Sequence, residues 1–183
     1  MNIDSIGLEL DRYEEVSVSD DATVGRTRAL LAGTAEPLSR HQYKPGHITA
    51  SACVLSPTGD RVLLVHHKKL GFWVQPGGHV DVGDESLLAG ARREAIEECG
   101  VSPLSLLRPN HPIDIEIHSI PARPNEPAHL HYDIRYAFRA PLSGLPTKNA
   151  ESHAVEWVSV ARLGTYTNEE SLHRLVRRAG ERL

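Results

Sequence analysis

Glu94, Glu97 and Glu98 fall within five residues of the stretch PGGHVDVGDESLLAGARREAIEECGV, Pro76 to Val101. Glu94 and Glu98 are four apart, a helical spacing at which like charges repel by a few tenths of a kcal/mol. A sequence shaped for helix stability alone would carry a lysine at one of them. One reading is a solvated face, with Arg92 and Arg93 offsetting the charge. The other starts from the glycine pair Gly77-Gly78 just upstream, whose backbone a ligand can approach closely. A helix edge offering three carboxylates to one point supplies the hard oxygen donors that Mg²⁺ or Mn²⁺ prefer. A dication held there would make a bound water more nucleophilic.

The elements that must position these groups are legible from periodicity. Asp84 or Ser86 suits a helix N-cap, Glu85 suits the first turn, and Gly100 suits the stop, so a helix is expected from about Glu85 to Cys99. At about 100° per residue, Leu88, Ala91, Ala95, Ile96 and Cys99 share one arc and the glutamates the neighbouring one. Upstream, ITASACVLS, the turn PTGD and RVLLVHHKK read as a hairpin, and FWVQ as a short strand entering the glycine pair. Downstream, IDIEIHSI and HLHYDIRYAFRA alternate with period two, and SHAVEWVSV reads as one more strand. The Pro-rich loop PARPNEPA separates the first two of these. TNEESLHRLVRRAG reads as a closing helix with Thr167 and Glu170 in capping-box spacing. Strands and helices mix without regular βαβ alternation, which predicts an α+β sandwich with a mixed sheet. Residues 1–45 read as a helical N-terminal extension whose second helix ends at Gly33, and residues 46–183 as the main domain.

Composition narrows the classes. A chain of 183 residues with 40% hydrophobic and 24% charged residues is expected to be soluble and globular, and no apolar run reaches the roughly 18 residues of a membrane span. The acidic, amphipathic start does not resemble a secretory signal, so a cytoplasmic location is expected. A net charge of −4 argues against coating nucleic acid. The one basic run, RLVRRAGER from Arg174 to Arg182, reads as a solvated helix face. Cys53 and Cys99 read as reduced core thiols.

The glutamate segment resembles the signature of the Nudix hydrolases, G-x5-E-x7-R-E-U-x-E-E-x-G-U, where U is apolar. Arg93-Glu94-Ala95-Ile96-Glu97-Glu98-Cys99-Gly100-Val101 follows its second half. The first half departs: six residues, not five, separate Gly78 from Glu85. Either the turn HVDVGD carries an extra residue and Glu85 is the first glutamate, or Asp84 takes that place; the turn insertion is the expectation. GHITAS, DIEIH and HLHYD are similar to segments of a bacterial branch of that family. The resemblance implies a Nudix-type α/β/α sandwich and metal-dependent cleavage of a diphosphate linkage in a small nucleotide-type substrate. It also implies Glu94, Glu97 and Glu98 as ligands of Mg²⁺ or Mn²⁺, with the Gly78 carbonyl as a further oxygen. Arg93 would be structural, with Glu85 as its partner. Glu98 and Glu151 are the candidate general bases, Glu151 lying in an E-x5-W arrangement with Trp157, and Glu97 completes the catalytic set.

Other residues stay open between readings. Alternation puts His129, His131 and Asp133 on one strand face, and Asp114, Glu116 and His118 form a similar row. Substrate contacts, a second metal site and a plain water-facing row all fit. Arg135 and Lys69 are candidate phosphate contacts, and His79 fits a turn as well as a ligand. Two rivals to hydrolysis are an imidazole metal centre built on the H-x-H of HLHYD and a catalytically silent nucleotide-binding regulator. The N-terminal helices are expected to cap the cleft or to form a homodimer contact.

Overall fold

The chain ITASACVL has almost no polar alternation, as expected of a strand covered on both faces. In the computed structural model, which describes residues 1, 3–14, 21–107 and 111–181, it forms β1 (Gly46–Leu55), buried along its whole length. β1 runs parallel to β7 (His129–Arg139), in register from Gly46 opposite Leu130 to Leu55 opposite Arg139. It pairs antiparallel with β2 (Arg61–His67) across the anticipated turn, and with β4 (Gly77–His79). β3 (Trp73–Val74) and β8 (Ser152–Ser159) extend the sheet from β2, while β5 (Ser105–Leu106) and β6 (Asp114–Ile120) flank β7, making eight strands of mixed direction.

Both faces are covered. Leu87, Ala91, Ala95 and Cys99 of helix α3 (Leu87–Cys99) pack with Ile48, Ala50, Ala52 and Val54 of β1. Helices α1 (Ile3–Glu14) and α2 (Asp21–Gly33) insert Ile6, Leu10, Tyr13, Val24 and Leu30 into that same core, so the N-terminal segment shares the sheet's packing. On the opposite face, Cys53, Leu55, Val62, Leu64 and Val158 meet Leu172, Leu175, Val176 and Ala179 of α4 (Glu170–Gly180). The result is the expected α/β/α sandwich. Cys53 and Cys99 are free and buried in separate clusters, and burial pushes the Cys53 thiol up to about 12. Among the described residues, no helix is long and apolar enough to cross a membrane.

Three local expectations change. α3 begins at Leu87, two residues later than its sequence suggests, because Ser86 is the N-cap and accepts from the Ala89 N–H at 3.1 Å. Thr167 does not cap α4; its hydroxyl takes the Glu169 N–H at 3.1 Å. The basic run is not simply solvated. Arg174 and Arg178 fold inward onto the fully buried Asp114, at 2.9 and 2.5 Å, while Arg182 lies outside the described residues.

Candidate active site

The glycine pair lies flat between β1 and the acidic edge of α3. Gly77 has φ 155°, and a Cβ there would sit 2.3 Å from Ser51 Oγ, so only glycine fits. Its N–H donates to Glu98 Oε2 at 2.9 Å. A Cβ on Gly78 would meet the Glu94 carboxylate at 3.0 Å. Two of the three glutamates therefore face glycine backbone directly. Glu98 is only 7% exposed; burial pushes its carboxyl up to about 7, against the pull of the Gly77 N–H and with the charges of Glu94, Glu151 and Glu97 adding to the rise. Burial raises the Glu94 carboxyl too, with Arg93 opposing.

Arg93 anchors this edge. Its guanidinium donates to Asp84 Oδ1 at 3.0 Å and Oδ2 at 2.8 Å, to the His79 carbonyl at 3.0 Å, to Glu94 at 2.9 Å and to Glu97 at 3.1 Å. The Arg93 bonds hold the Asp84 carboxyl below the usual carboxylate range. Asp84 is buried against Gly90, where an added Cβ would stand 2.9 Å from Oδ2. Glu85 is exposed and is not the partner of Arg93, so the expected turn insertion is corrected. The turn closed by the Asp84 N–H on the Asp81 carbonyl, at 3.0 Å, drops Asp84 under Arg93, and Glu85 then points outward before the cap.

The three box carboxylates do not converge on one point. Glu94 and Glu97 share Arg93, and Glu98 holds Gly77. Their chemistry nevertheless fits a hard dication: carboxylate oxygens crowded along one helix edge beside glycine backbone, with Glu98 raised partly by its neighbours' charge. Glu94, Glu97, Glu98 and the Gly78 carbonyl are the groups that could hold it.

The remaining candidates divide. Glu151 is exposed just before β8, and its charge acts on both Glu98 and His67, which brings it to the rim of the glutamate edge. Lys69 is exposed in the turn after β2, where its N–H donates to His67 Nδ1 at 3.1 Å, and no contact joins it to the glutamates. Asp133 and Arg135 are not poised for substrate: they are 1% and 3% exposed and bonded to each other at 2.7 Å. Asp133 also accepts from Thr49 and Ser51, and Arg135 donates to Asp114 at 3.1 Å, so the pair belongs to a charge network under α4. Alternation gave their shared face correctly but not the helix that covers it. His129 and His131 join His47 and His79 in a cluster on this face, with His47 the member that sequence reasoning overlooked. The signal for it was the parallel register that sets His47 beside His131. Burial first, and then neighbouring imidazoles, pushes His131 down to about 2 and His79 to about 4.

The NUDIX domain family model matches residues 46–179. A hydrolase of the NUDIX family from Clostridium perfringens superposes with TM-score 0.56 at 25% identity, over 79% of this chain and 97% of that one. The E. coli dihydroneopterin triphosphate pyrophosphohydrolase gives TM-score 0.56 at 15% identity, over 74% and 96%. The NUDIX domain of Shewanella oneidensis NrtR, complexed with ADP ribose, gives 0.52 at 21% identity, over 85% and 97%. A sequence comparison with curated proteins found no match. With most of its length matched by the family model and a glycine strand laid against an acidic helix, the chain belongs to the Nudix family. Within that family it is a pyrophosphohydrolase.

Proposed function

We propose that the enzyme cleaves a diphosphate linkage in a small nucleoside-diphosphate-type substrate, using Mg²⁺ or Mn²⁺ held by Glu94, Glu97, Glu98 and the Gly78 carbonyl. The observation that carries this reading is the seating of Glu94 and Glu98 against the Gly77-Gly78 backbone. A dication bound there shields diphosphate charge and makes water more nucleophilic. Arg93, itself pinned by Asp84 and the His79 carbonyl, positions Glu94 and Glu97. Glu98, oriented by the Gly77 N–H, takes the proton of the water that attacks phosphorus, and the anhydride oxygen leaves with the bonding pair. Glu151, at the rim, adds negative charge near Glu98 and is the second candidate for the base. A nucleotide-type ligand is in keeping with the ADP ribose bound by the Shewanella neighbour.

The test is turnover of a nucleotide panel with Mg²⁺ or Mn²⁺, with products identified by mass spectrometry. Glu98→Gln is expected to lower kcat/KM at least 100-fold on any substrate found, the scale of losing a general base. No turnover across the panel, or a Glu98→Gln enzyme within about tenfold of wild type, would overturn the reading.

A further inference from the structure

The hydrolase reading leaves a cluster of imidazoles unused. Successive strand residues point to opposite faces, so in β4 Gly78 meets the Glu94 carboxylate while His79 turns to the other side of the sheet. There its ring centroid lies 5.0 Å from that of His47 on β1 and 5.5 Å from that of His131 on β7, and the last two are 4.7 Å apart. One ligand nitrogen from each of the three falls within 4.8 Å of the others, the single such group among the described residues. In a tetrahedral site with Zn–N bonds of roughly 2.0–2.1 Å, such nitrogens stand about 3.4 Å apart, so small ring rotations suffice.

Hydrogen bonding supplies an independent mark. His47 Nδ1 faces the Gln42 carbonyl at 3.0 Å. A carbonyl only accepts, so Nδ1 carries the proton and Nε2 is left as a bare lone pair, the arrangement by which a backbone carbonyl orients a metal-bound histidine. His47 is fully buried, and its Nε2 has no hydrogen-bond partner; neither does the buried Nε2 of His131. Buried polar nitrogens are rarely left unpaired in native folds, and here the unpaired nitrogens of His47 and His131 belong to rings on the neighbouring strands β1 and β7 that meet each other and the His79 ring of β4.

We propose that His47, His79 and His131 form a transition-metal site of the zinc type, separate from the glutamate edge, that ties β1, β4 and β7 together behind the glycine pair. Imidazole donors select Zn²⁺ and its neighbours over Mg²⁺, and three of them leave a fourth position for water. The site fixes the strand that presents Gly77 and Gly78 to the glutamates. It does not depend on which diphosphate substrate the enzyme cleaves.

The test uses full-length, untagged protein stripped with a chelator, titrated with Zn²⁺ in saturating Mg²⁺ so that the carboxylates are already engaged. About one zinc per chain is expected, with affinity at least tenfold weaker in His131→Gln and in His47→Gln and unchanged in Glu98→Gln. Absence of zinc binding, binding that survives both histidine substitutions, or loss of zinc in Glu98→Gln would overturn the site. Cobalt(II) loading of the wild-type protein needs no variant: visible d–d bands of a four-coordinate nitrogen-ligated ion are expected, and a spectrum like that of the hydrated ion refutes the proposal. Because zinc is read without turnover, failure here and failure of the hydrolase reading are distinguishable.

Discussion

Replacing Asp84 by Asn, beside the control Glu85→Gln, tests which acid secures the catalytic helix. Asp84 has a side chain 7% exposed and accepts from Arg93 Nε at 3.0 Å, from Arg93 Nη2 at 2.8 Å and from the Asp81 N–H at 2.8 Å. Asparagine keeps one acceptor oxygen. Its amide NH₂ would face Arg93 Nε in one orientation, or both Arg93 Nη2 and the Asp81 N–H in the other, donor against donor, and the negative charge is gone. A hydrogen bond to a charged group contributes about 1.5–3 kcal/mol. Arg93 is 24% exposed and keeps Glu94, Glu97 and the His79 carbonyl, so water and those partners recover part of the loss. The net expectation is about 2–3 kcal/mol, a fall in Tm of about 5–10 °C for a chain of this size. Glu85 is exposed, and Glu85→Gln should stay within about 0.5 kcal/mol of wild type. Urea and thermal unfolding at neutral pH measure both variants. Since Arg93 also holds Glu94 and Glu97, the half-saturating Mg²⁺ concentration should rise in Asp84→Asn and not in Glu85→Gln. If Glu85→Gln proves as destabilising as Asp84→Asn, the assignment of the buried acid is wrong.

The Asp84–Arg93 pair also makes a pH prediction. The folded carboxyl sits below its ordinary value, so its contribution is fully present above about pH 4, the unfolded range, and is lost as pH falls through the folded pKa. Urea midpoints should therefore drop less steeply with acid in Asp84→Asn than in wild type, and parallel profiles would count against the pair. Gly77→Ala combines φ 155° with a Cβ 2.3 Å from Ser51 Oγ and should cost about 2–4 kcal/mol, whereas Gly78→Ala presses only on the flexible Glu94 carboxylate and should spare stability more than activity. Equal Tm losses in the two alanine variants would contradict that contrast. Deleting residues 1–44 removes Ile6, Leu10, Tyr13, Val24 and Leu30 from the shared core, each a fully or nearly fully buried side chain worth about 1.5–3 kcal/mol of transfer energy. The truncated chain should lose cooperative unfolding or drop sharply in Tm, and an unchanged melt would show that those helices are dispensable to the core.

The local layers of the architecture were readable because each obeys a short period. β6 and the first half of β7 alternate polar and apolar residues, and α3 carries its apolar arc and its Gly100 stop, with φ 68° and an N–H to the Ile96 carbonyl. What could not be read depends on contacts far apart in sequence or on which way a turn faces. The motif string counts residues between Gly78 and the helix, but whether Asp84 or Glu85 swings inward is decided by the turn at Asp81 and by the room beside Gly90. Asp114 looks like one member of a polar strand row, yet α4 closes over it and supplies Arg174 and Arg178 to a carboxylate with no exposure. The parallel pairing of β1 with β7 joins residues more than eighty positions apart, and it alone sets His47 beside His131. β4 is the element where these two kinds of information meet. Three residues long, it presents Gly77 and Gly78 to the glutamates and His79 to the imidazoles, so its placement is constrained from both faces of the sheet.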